Sequence, residues 1–178
     1  KYPDNVMLVN CAKKVGPGGA RSLGISYAGG EYVAFVDQDD WVEACMYEHL
    51  YDKGAAYSCD VVESYNTRDR GYRYHDGEPE RTGAQDAFYE FSDARDRKRF
   101  FETERPERRK YWAKIYRREF LLENNIDFPQ NVRYDDNYFK GMVFYQAKRL
   151  YVVEEYLYHW MVNDSSISMQ NDFSAHLD

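Results

Sequence analysis

Five carboxylate side chains lie in two short clusters whose residue types suit metal and proton chemistry. The first, Asp37-Gln38-Asp39-Asp40, follows a mostly apolar stretch at 32–36 that is typical of a buried strand. The second, Asp135 and Asp136, comes about 95 residues later, before a helical pattern. Gathered carboxylates repel one another unless a cation lies among them. Their oxygens suit Mg²⁺ or Mn²⁺, which are commonly shared with phosphate.

Each acidic cluster also has a purely structural interpretation. Asp40 could cap a helix that the spacing of apolar residues predicts from position 42 to 50. Asp135 or Asp136 could cap the following helix, whose apolar face contains Phe139 and Val143. The residues of the first cluster leave the metal site and the capped turn open as alternatives.

A third candidate is Arg21, in the first turn of a helix predicted after the Gly-rich segment 16–19. A helix start offers free N–H groups and a positive dipole to an anion, and a guanidinium adds a fork for phosphate. The alternative is that Arg21 pairs with a structural carboxylate. Ala20, Gly24 and Ala28 lie four residues apart, which predicts a face of this helix that packs closely.

These groups must be positioned by alternating strands and helices, which predicts an α/β fold with ligands at the carboxyl ends of strands. Strands are predicted near 6–10, 32–36, 58–65 and 150–153, with a strand or a turn at 111–116 and an extended aromatic stretch at 155–161. A short helix is predicted at 117–125. Residues 68–110 form a polar excursion in which Phe88, Phe91, Phe100 and Phe101 predict short helices over the sheet. The tail, about 170–178, is expected to fray.

Composition restricts the function further. The 178 residues carry 24 Lys and Arg against 31 Asp and Glu, so the net charge of −7 argues against a nucleic-acid partner. Three cysteines without Cys-x-x-Cys spacing predict free, buried thiols in a reducing compartment. No apolar run approaches the length of a membrane span, and no signal peptide is visible. The expected location is cytoplasmic, with peripheral attachment at the inner face of the membrane as an option.

The order of four motifs resembles glycosyltransferase family 2. Gly18-Gly19-Ala20-Arg21-Ser22-Leu23-Gly24 is similar to the Gly-x-x-x-Ala-Arg-Asn-x-Gly helix start of that family, with Ser22 in place of Asn. The stretch 30–41 resembles its Gly-Glu-Tyr-Ile strand with the Asp-x-Asp motif. Asp135-Asp136 stands where the family has Glu-Asp. Residues 157–168 resemble the Tyr-rich strand and Ser-containing loop that close many members, and 112–117 resembles a middle segment of bacterial members.

The resemblance implies a GT-A (Rossmann-like) mixed sheet flanked by helices. It also implies an enzyme of bacterial surface-glycan synthesis that transfers a sugar with inversion. The donor would be a nucleotide-sugar, expected to be a UDP-sugar, and the acceptor would be a glycan or a lipid-linked molecule. Asp39 and Asp37 would hold the cation, Mn²⁺ or Mg²⁺. His159 would be either a further ligand or a structural histidine beside Trp160. Arg21, Asp37 and Asp39 would bind the donor. Asp136 would be the catalytic base, and Asp135 with Asp40 would contact the acceptor.

The resemblance also predicts that 1–178 is one partial domain without the first nucleotide-binding β-α-β-α unit of the family. An exposed sheet edge would then favour a homodimer or a swapped oligomer. Two other functions remain open. A nucleotidyltransferase-like enzyme would need a Gly-Lys phosphate loop that 16–19 does not supply. A non-catalytic carbohydrate-binding or interaction fragment would keep the fold without the chemistry.

Overall fold

A six-stranded mixed sheet runs through the computed structural model, which describes residues 3–69, 78–103, 110–130, 132 and 134–162. The strands are β1 (Tyr32–Ala34), β2 (Trp41–Val42), β3 (Val61–Asp69), β4 (Ala87–Glu90), β5 (Lys114–Arg117) and β6 (Arg149–Met161). Their order is β1-β5-β3-β6-β2, and β4 pairs with β6 beside β2. Only β3 and β6 are parallel to each other; the other pairs are antiparallel.

Five α-helices accompany the sheet in the described part of the chain, after a short 3-10 helix at Pro3–Asn5. They are α1 (Gly16–Tyr27), α2 (Met46–Tyr57), α3 (Ala94–Thr103), α4 (Arg118–Glu123) and α5 (Asp135–Gln146). The predicted helices at 20–28, at 117–125 and after Tyr134 are confirmed. The helix α1 begins earlier than expected, inside the Gly-rich segment, because Pro17 fits the first turn of a helix, where its missing N–H has no partner to lose.

The long strand β6 is central to the sheet, because it pairs with three other strands. It pairs with β3 along one side, and with β4 and then β2 along the other. The sequence predicted a short strand followed by a separate aromatic extended stretch, but Arg149–Met161 is one continuous strand. Its far end therefore brings Tyr158 and His159 beside β2, which follows directly on the first acidic cluster.

An aromatic cluster fills the core beneath the acidic residues. Phe128 and Phe139 stack with ring centroids 4.1 Å apart, and the ring of Phe35 packs edge-on against both. Tyr116 contacts Phe35 and Phe139 from β5. Aromatic pairs of this kind add to the gain from burying their surface, so the cluster fixes the end of β1 against α5.

A buried ion pair between Lys114 and Glu63 crosses from β5 to β3, and no pattern along the chain predicted it. Both residues are buried, at 3% and 1% exposure. Removing one partner of such a pair leaves an uncompensated buried charge, which destabilises a protein by about 3–5 kcal/mol. The pair is therefore part of the framework rather than of the site.

Several sequence predictions about the elements were wrong. Residues 6–10 are not a strand: Val6, Met7 and Leu8 are 73%, 70% and 82% exposed, and no described strand lies beside them to pair. The helix after the acidic cluster begins at Met46, because β2 intervenes and Val42 pairs with Tyr158.

The packing face of α1 was also predicted wrongly. Its buried residues are Gly18, Gly19, Ser22 and Ile25, whereas a Cβ at Gly24 would meet nothing within 4 Å. In the polar excursion, Phe88 lies on β4, while Phe100 and Phe101 lie on the expected helix α3. The thiols are free, but Cys11 is exposed and only Cys59 is fully buried.

Nowhere in the described ranges does a helix combine the length and the apolar character needed to cross a bilayer. The Ser-containing loop expected up to 168 and the tail at 170–178 lie outside the described residues.

Candidate active site

The side chain of Arg21 joins the two acidic clusters. Its Nη2 lies 3.2 Å from Asp37 Oδ1, and its Nη1 lies 3.3 Å from Asp135 Oδ2. All three side chains are partly enclosed, with 20%, 32% and 14% exposure. Residues that lie far apart in the sequence therefore form one ionic group at the carboxyl end of β1. We call Arg21, Asp37, Tyr111 and Asp135 the Arg21 site.

Gly18 allows the two helix starts at this site to meet. A Cβ added at Gly18 would lie 2.3 Å from Asp135 Oδ2 and 2.9 Å from the Pro129 carbonyl oxygen. Such distances are too short for any side chain, so only glycine lets α1 approach the first turn of α5. The Gly-rich segment thus serves close packing, which brings Arg21 within reach of Asp135.

Two aromatic rings hold the Arg21 guanidinium in place. Its central carbon lies 4.2 Å from the Tyr111 ring centroid and 5.4 Å from that of Phe128. The Tyr111 hydroxyl donates to the Asp37 carboxylate at 2.5 Å and accepts from Arg21. Burial, and then the hydrogen bond to Asp37, raise the pKa of Tyr111 far above its usual value. Tyr111 therefore stays a neutral donor that orients Asp37.

Asp39 and Asp40 are neighbours with opposite roles in the structure. Asp40 accepts from the Tyr158 hydroxyl at 2.6 Å and from the Met161 backbone N–H at 2.9 Å. Burial raises the pKa of Asp40 above its ordinary value. It does not cap a helix, because α2 starts six residues later and Asp40 instead holds the end of β6. The exposed Asp39 has no hydrogen bond or ion pair to any described residue.

Asp136 lies beside Asp135 in the first turn of α5. Its Oδ2 is 2.6 Å from Lys140 Nζ, one helical turn further on. Neither carboxylate is the N-cap, because Tyr134 occupies that position with a backbone φ of 60°. The capping alternative for the second cluster therefore fails, and both side chains lie in the first turn, where the helix dipole favours negative charge.

His159 lies in a separate group of side chains, which we call the His159 cluster. Its Nε2 lies 2.9 Å from Glu43 Oε1, and its Nδ1 lies 2.7 Å from Asp69 Oδ2. The Trp41 ring stacks on the imidazole at 3.5 Å between centroids. The cluster consists of Trp41, Glu43, Thr67, Asp69 and His159.

The described residues fit a cation site in part. Asp37 and the unpaired Asp39 offer the oxygen ligands that Mg²⁺ and Mn²⁺ prefer. Both ring nitrogens of His159 already have partners, so this residue does not offer a nitrogen as it stands. Within the described ranges, no group of three or more His, Cys, Asp or Glu side chains is arranged to hold a metal on its own. Such a cation would have to take further ligands from phosphate or water.

Sequence reasoning missed three side chains that complete this region. Tyr111 and Tyr158 hold Asp37 and Asp40, and Lys140 pairs with Asp136. The i, i+4 spacing of Asp136 and Lys140 was a readable signal, since such side chains meet on a helix. Nothing in the sequence pattern identified which of the 18 tyrosines would reach the acidic loop.

The family assignment follows from comparison with known proteins. The profile of glycosyl transferase family 2 matches residues 1–130 of the chain. A cholesterol galactosyltransferase of Borreliella burgdorferi is 31% identical over 157 residues, which cover 82% of this chain and 42% of that protein. A poly(ribitol-phosphate) beta-glucosyltransferase of Bacillus spizizenii is 27% identical, over 91% of this chain and 24% of its own length. The chain belongs to glycosyl transferase family 2.

Solved structures share the fold. A complex of S. aureus TarS 1–349 with UDP-GlcNAc matches at a TM-score of 0.69 and 22% identity, over 93% of this chain and 45% of that one. A complex of the same protein with UDP matches at a TM-score of 0.59 and 26% identity, over 84% and 41%. The predicted GT-A fold, a mixed sheet flanked by helices, is confirmed. The chain spans less than half the length of these relatives.

Proposed function

We propose that this chain carries part of the catalytic site of a metal-dependent, inverting glycosyltransferase, which moves a sugar from a UDP-sugar to the hydroxyl of a surface glycan or lipid-linked acceptor. The observation that carries the proposal is the Arg21 site, where one guanidinium bridges the acidic strand end and the acidic helix start. The binding of UDP by TarS, 26% identical over the matched region, supports the choice of nucleotide.

On the donor side, Asp39 and Asp37 would hold the cation together with diphosphate oxygens. A bound Mg²⁺ or Mn²⁺ would neutralise charge that develops on the departing nucleoside diphosphate. Arg21 lies against Asp37 and would turn one of its N–H groups to the phosphate when Asp37 binds the cation. Tyr111 keeps the Asp37 carboxylate oriented throughout.

On the acceptor side, Asp136 would take the proton from the acceptor hydroxyl. Lys140 holds one oxygen of Asp136 and leaves the other carboxylate oxygen to accept that proton. Asp135, fixed by Arg21, would position the acceptor beside it. Asp40 would contribute to acceptor binding by fixing the end of β6 rather than by direct contact, because both of its oxygens accept hydrogen bonds.

Calorimetric titration of UDP in the presence of Mn²⁺ tests the donor side. We expect Asp39→Ala to weaken UDP binding about tenfold or more, which corresponds to about 1.4 kcal/mol, and to abolish its dependence on Mn²⁺. Glu123→Gln, on the exposed face of α4, removes one charge elsewhere and serves as the matched control. Equal, metal-dependent affinities in both variants would contradict the cation role of Asp39.

A second candidate, a non-catalytic carbohydrate-binding or interaction module, is favoured by one observation. The candidate groups Asp37, Asp135 and Asp136 all have cationic partners within the chain. Such a module would bind glycan without binding UDP, so the same titration separates the two functions. We also propose a cytoplasmic location, and self-association through an exposed edge of the sheet, where β1 pairs with β5 alone among the described strands.

A further inference from the structure

The acidic loop after β1 is a tight turn with Asp39 at its exposed tip. The Asp40 backbone N–H donates to the Asp37 carbonyl oxygen at 3.0 Å, which is the hydrogen bond between the first and fourth residues of a β-turn. Gln38 and Asp39 are the two central residues, and both are exposed. Their backbone angles set the direction of their side chains. The position of the Asp39 carboxylate therefore depends on how firmly the two ends of the turn are held.

The Tyr158 hydroxyl connects both ends of this turn. It accepts a hydrogen bond from the Asp37 backbone N–H at 3.2 Å and donates one to Asp40 Oδ2 at 2.6 Å. A single oxygen atom, from a residue on β6, thus bridges the first and fourth residues of the turn. Many turns lack even the hydrogen bond between these two residues, so a second link through a side chain makes this turn more rigid than most.

The packing around Tyr158 fixes the position of its hydroxyl. Tyr158 is fully buried, and the Trp112 ring stacks on it with 4.5 Å between centroids and 12° between the ring planes. Its backbone lies inside the sheet, opposite Val42 on β2 and Asn66 on β3. A side chain that is packed in this way keeps one rotamer. The turn must therefore adapt to the hydroxyl rather than the hydroxyl to the turn.

The protonation state of Tyr158 fixes the direction of both hydrogen bonds. Burial, and then the hydrogen bond to Asp40, raise the pKa of Tyr158 far above its usual value. The hydroxyl therefore keeps its proton at neutral pH and donates it to Asp40, while its lone pairs accept from the Asp37 N–H. Tyr111 acts differently, because it contacts the carboxylate of Asp37 and not the backbone of the turn.

We propose that Tyr158 is a positioning residue for the cation of the donor site, because it closes the turn and so orders Asp39 before the cation binds. The inference rests on the proposed function, since it concerns the residue that would bind that cation. Tyr158 would contact neither the cation nor the sugar and would act only through Asp39. A ligand group that is ordered in advance binds more tightly than one that must be ordered during binding.

The first measurement follows the turn without any ligand. Hydrogen exchange, resolved by NMR, reports how often the Asp37 and Asp40 amides open. We expect Tyr158→Phe, which removes only the hydroxyl oxygen, to speed exchange at both amides about tenfold, which is the effect of one lost hydrogen bond. Tyr65→Phe is the matched control, because its hydroxyl donates to Glu154 at 3.1 Å and contacts no residue of the turn. Exchange at the two amides should not change in this variant.

The second measurement is the affinity for UDP, determined by calorimetry with and without Mn²⁺. We expect Tyr158→Phe to weaken UDP binding about fivefold in the presence of Mn²⁺, because Asp39 must then be ordered during binding. UDP binding without Mn²⁺ should not change, and Tyr65→Phe should alter neither affinity. In the Asp39→Ala background, adding Tyr158→Phe should cause no further loss, because two residues that act as a unit are not additive.

The outcomes separate this inference from the proposed function. If Tyr158→Phe changed exchange or stability but left Mn²⁺-dependent UDP affinity unaltered, Tyr158 would be a structural residue and the inference would be overturned, while the proposed function would stand. Unchanged exchange at the turn would also overturn it, as would an additive loss in the Asp39→Ala background. If UDP binding by the wild type did not depend on Mn²⁺, the proposed function would fail and this inference with it.

Discussion

The Arg21 site and the His159 cluster contain the same kinds of side chain, but they differ in how many polar groups remain available to a ligand. Each brings acidic side chains from distant segments around one nitrogen-bearing side chain. At His159, both ring nitrogens have partners, and Trp41 covers the ring. At Arg21, the contacts are longer, the side chains are partly exposed, and Asp39 has no partner among the described residues beside them.

This difference is the one expected between the proposed binding site and a structural cluster. The His159 cluster fastens β2 and the end of β3 to β6, and its hydrogen-bonding capacity is used within the chain. A ligand there would have to displace the buried Glu43 or the partly exposed Asp69, and leaving a buried polar group without a partner is costly. At the Arg21 site, the proposed cation and diphosphate would replace contacts that are only partly buried. The sequence left His159 open between a further metal ligand and a structural histidine, and the partners of both its ring nitrogens favour the structural role.

The largest effect is expected at Asp136, which extends the Arg21 site toward the acceptor. We expect Asp136→Asn to lower the rate of UDP release from a UDP-sugar in the presence of acceptor by about 100-fold or more, because the amide cannot take a proton. The affinity for UDP should stay within about a factor of two of that of the wild type, because a substitution away from the donor site usually has a small effect. Glu123→Gln is the control. A parallel collapse of UDP affinity would show that Asp136 supports the donor site instead of acting as the base.

The next effect is expected in the His159 cluster and concerns stability. We expect His159→Gln to lower the free energy of unfolding by about 2 kcal/mol, because it leaves the buried Glu43 or the Asp69 carboxylate without its partner. Urea denaturation measures this change. Mn²⁺-dependent UDP affinity should not change, since both nitrogens of His159 already have partners. Unaltered stability together with weaker Mn²⁺-dependent binding would make His159 a metal ligand after all.

A smaller effect is expected for Arg21→Lys, which keeps the charge but loses the fork between Asp37 and Asp135. We expect the free energy of unfolding to fall by about 1 kcal/mol, and UDP affinity to fall about tenfold. Arg149→Lys changes the exposed pair with Glu90 in the same way and should affect neither quantity. If Arg21→Lys lowered only stability, the guanidinium would be a structural bridge, as the simpler interpretation of the sequence held.

Sequence was a good guide where a feature depends on neighbours along the chain. The helices α1, α4 and α5, and the acidic residues after β1, followed from periodicity and motif order. It failed where partners come from distant segments. The apolar stretch 6–10 looked like a strand, but strand formation needs a neighbour that local pattern does not reveal. The same limit hid the contact of Gly18 with Asp135, the pairing of Tyr158 with Asp40, and the Lys114–Glu63 pair.

The smallest effect is expected at Asp40, which shares features of both groups. It lies in the acidic loop after β1, but both of its carboxylate oxygens accept hydrogen bonds within the chain, as the partners in the His159 cluster do. Burial raises its pKa in the folded protein above the value of an exposed carboxyl group. The folded state therefore binds a proton at a pH where the unfolded chain does not, and stability falls as pH rises through the raised pKa. We expect the free energy of unfolding of wild type, relative to Asp40→Asn, to increase as the pH is lowered from 7 toward 4. The gain should be under about 1 kcal/mol, because solvent screens this partly exposed group. Asp39→Asn, which removes an exposed carboxylate from the same loop, is the control for the change in charge. Thermal unfolding across the pH series measures the difference, and a relative stability that fell on acidification would mean that Asp40 is stabilised as the anion and belongs with the cation-binding residues.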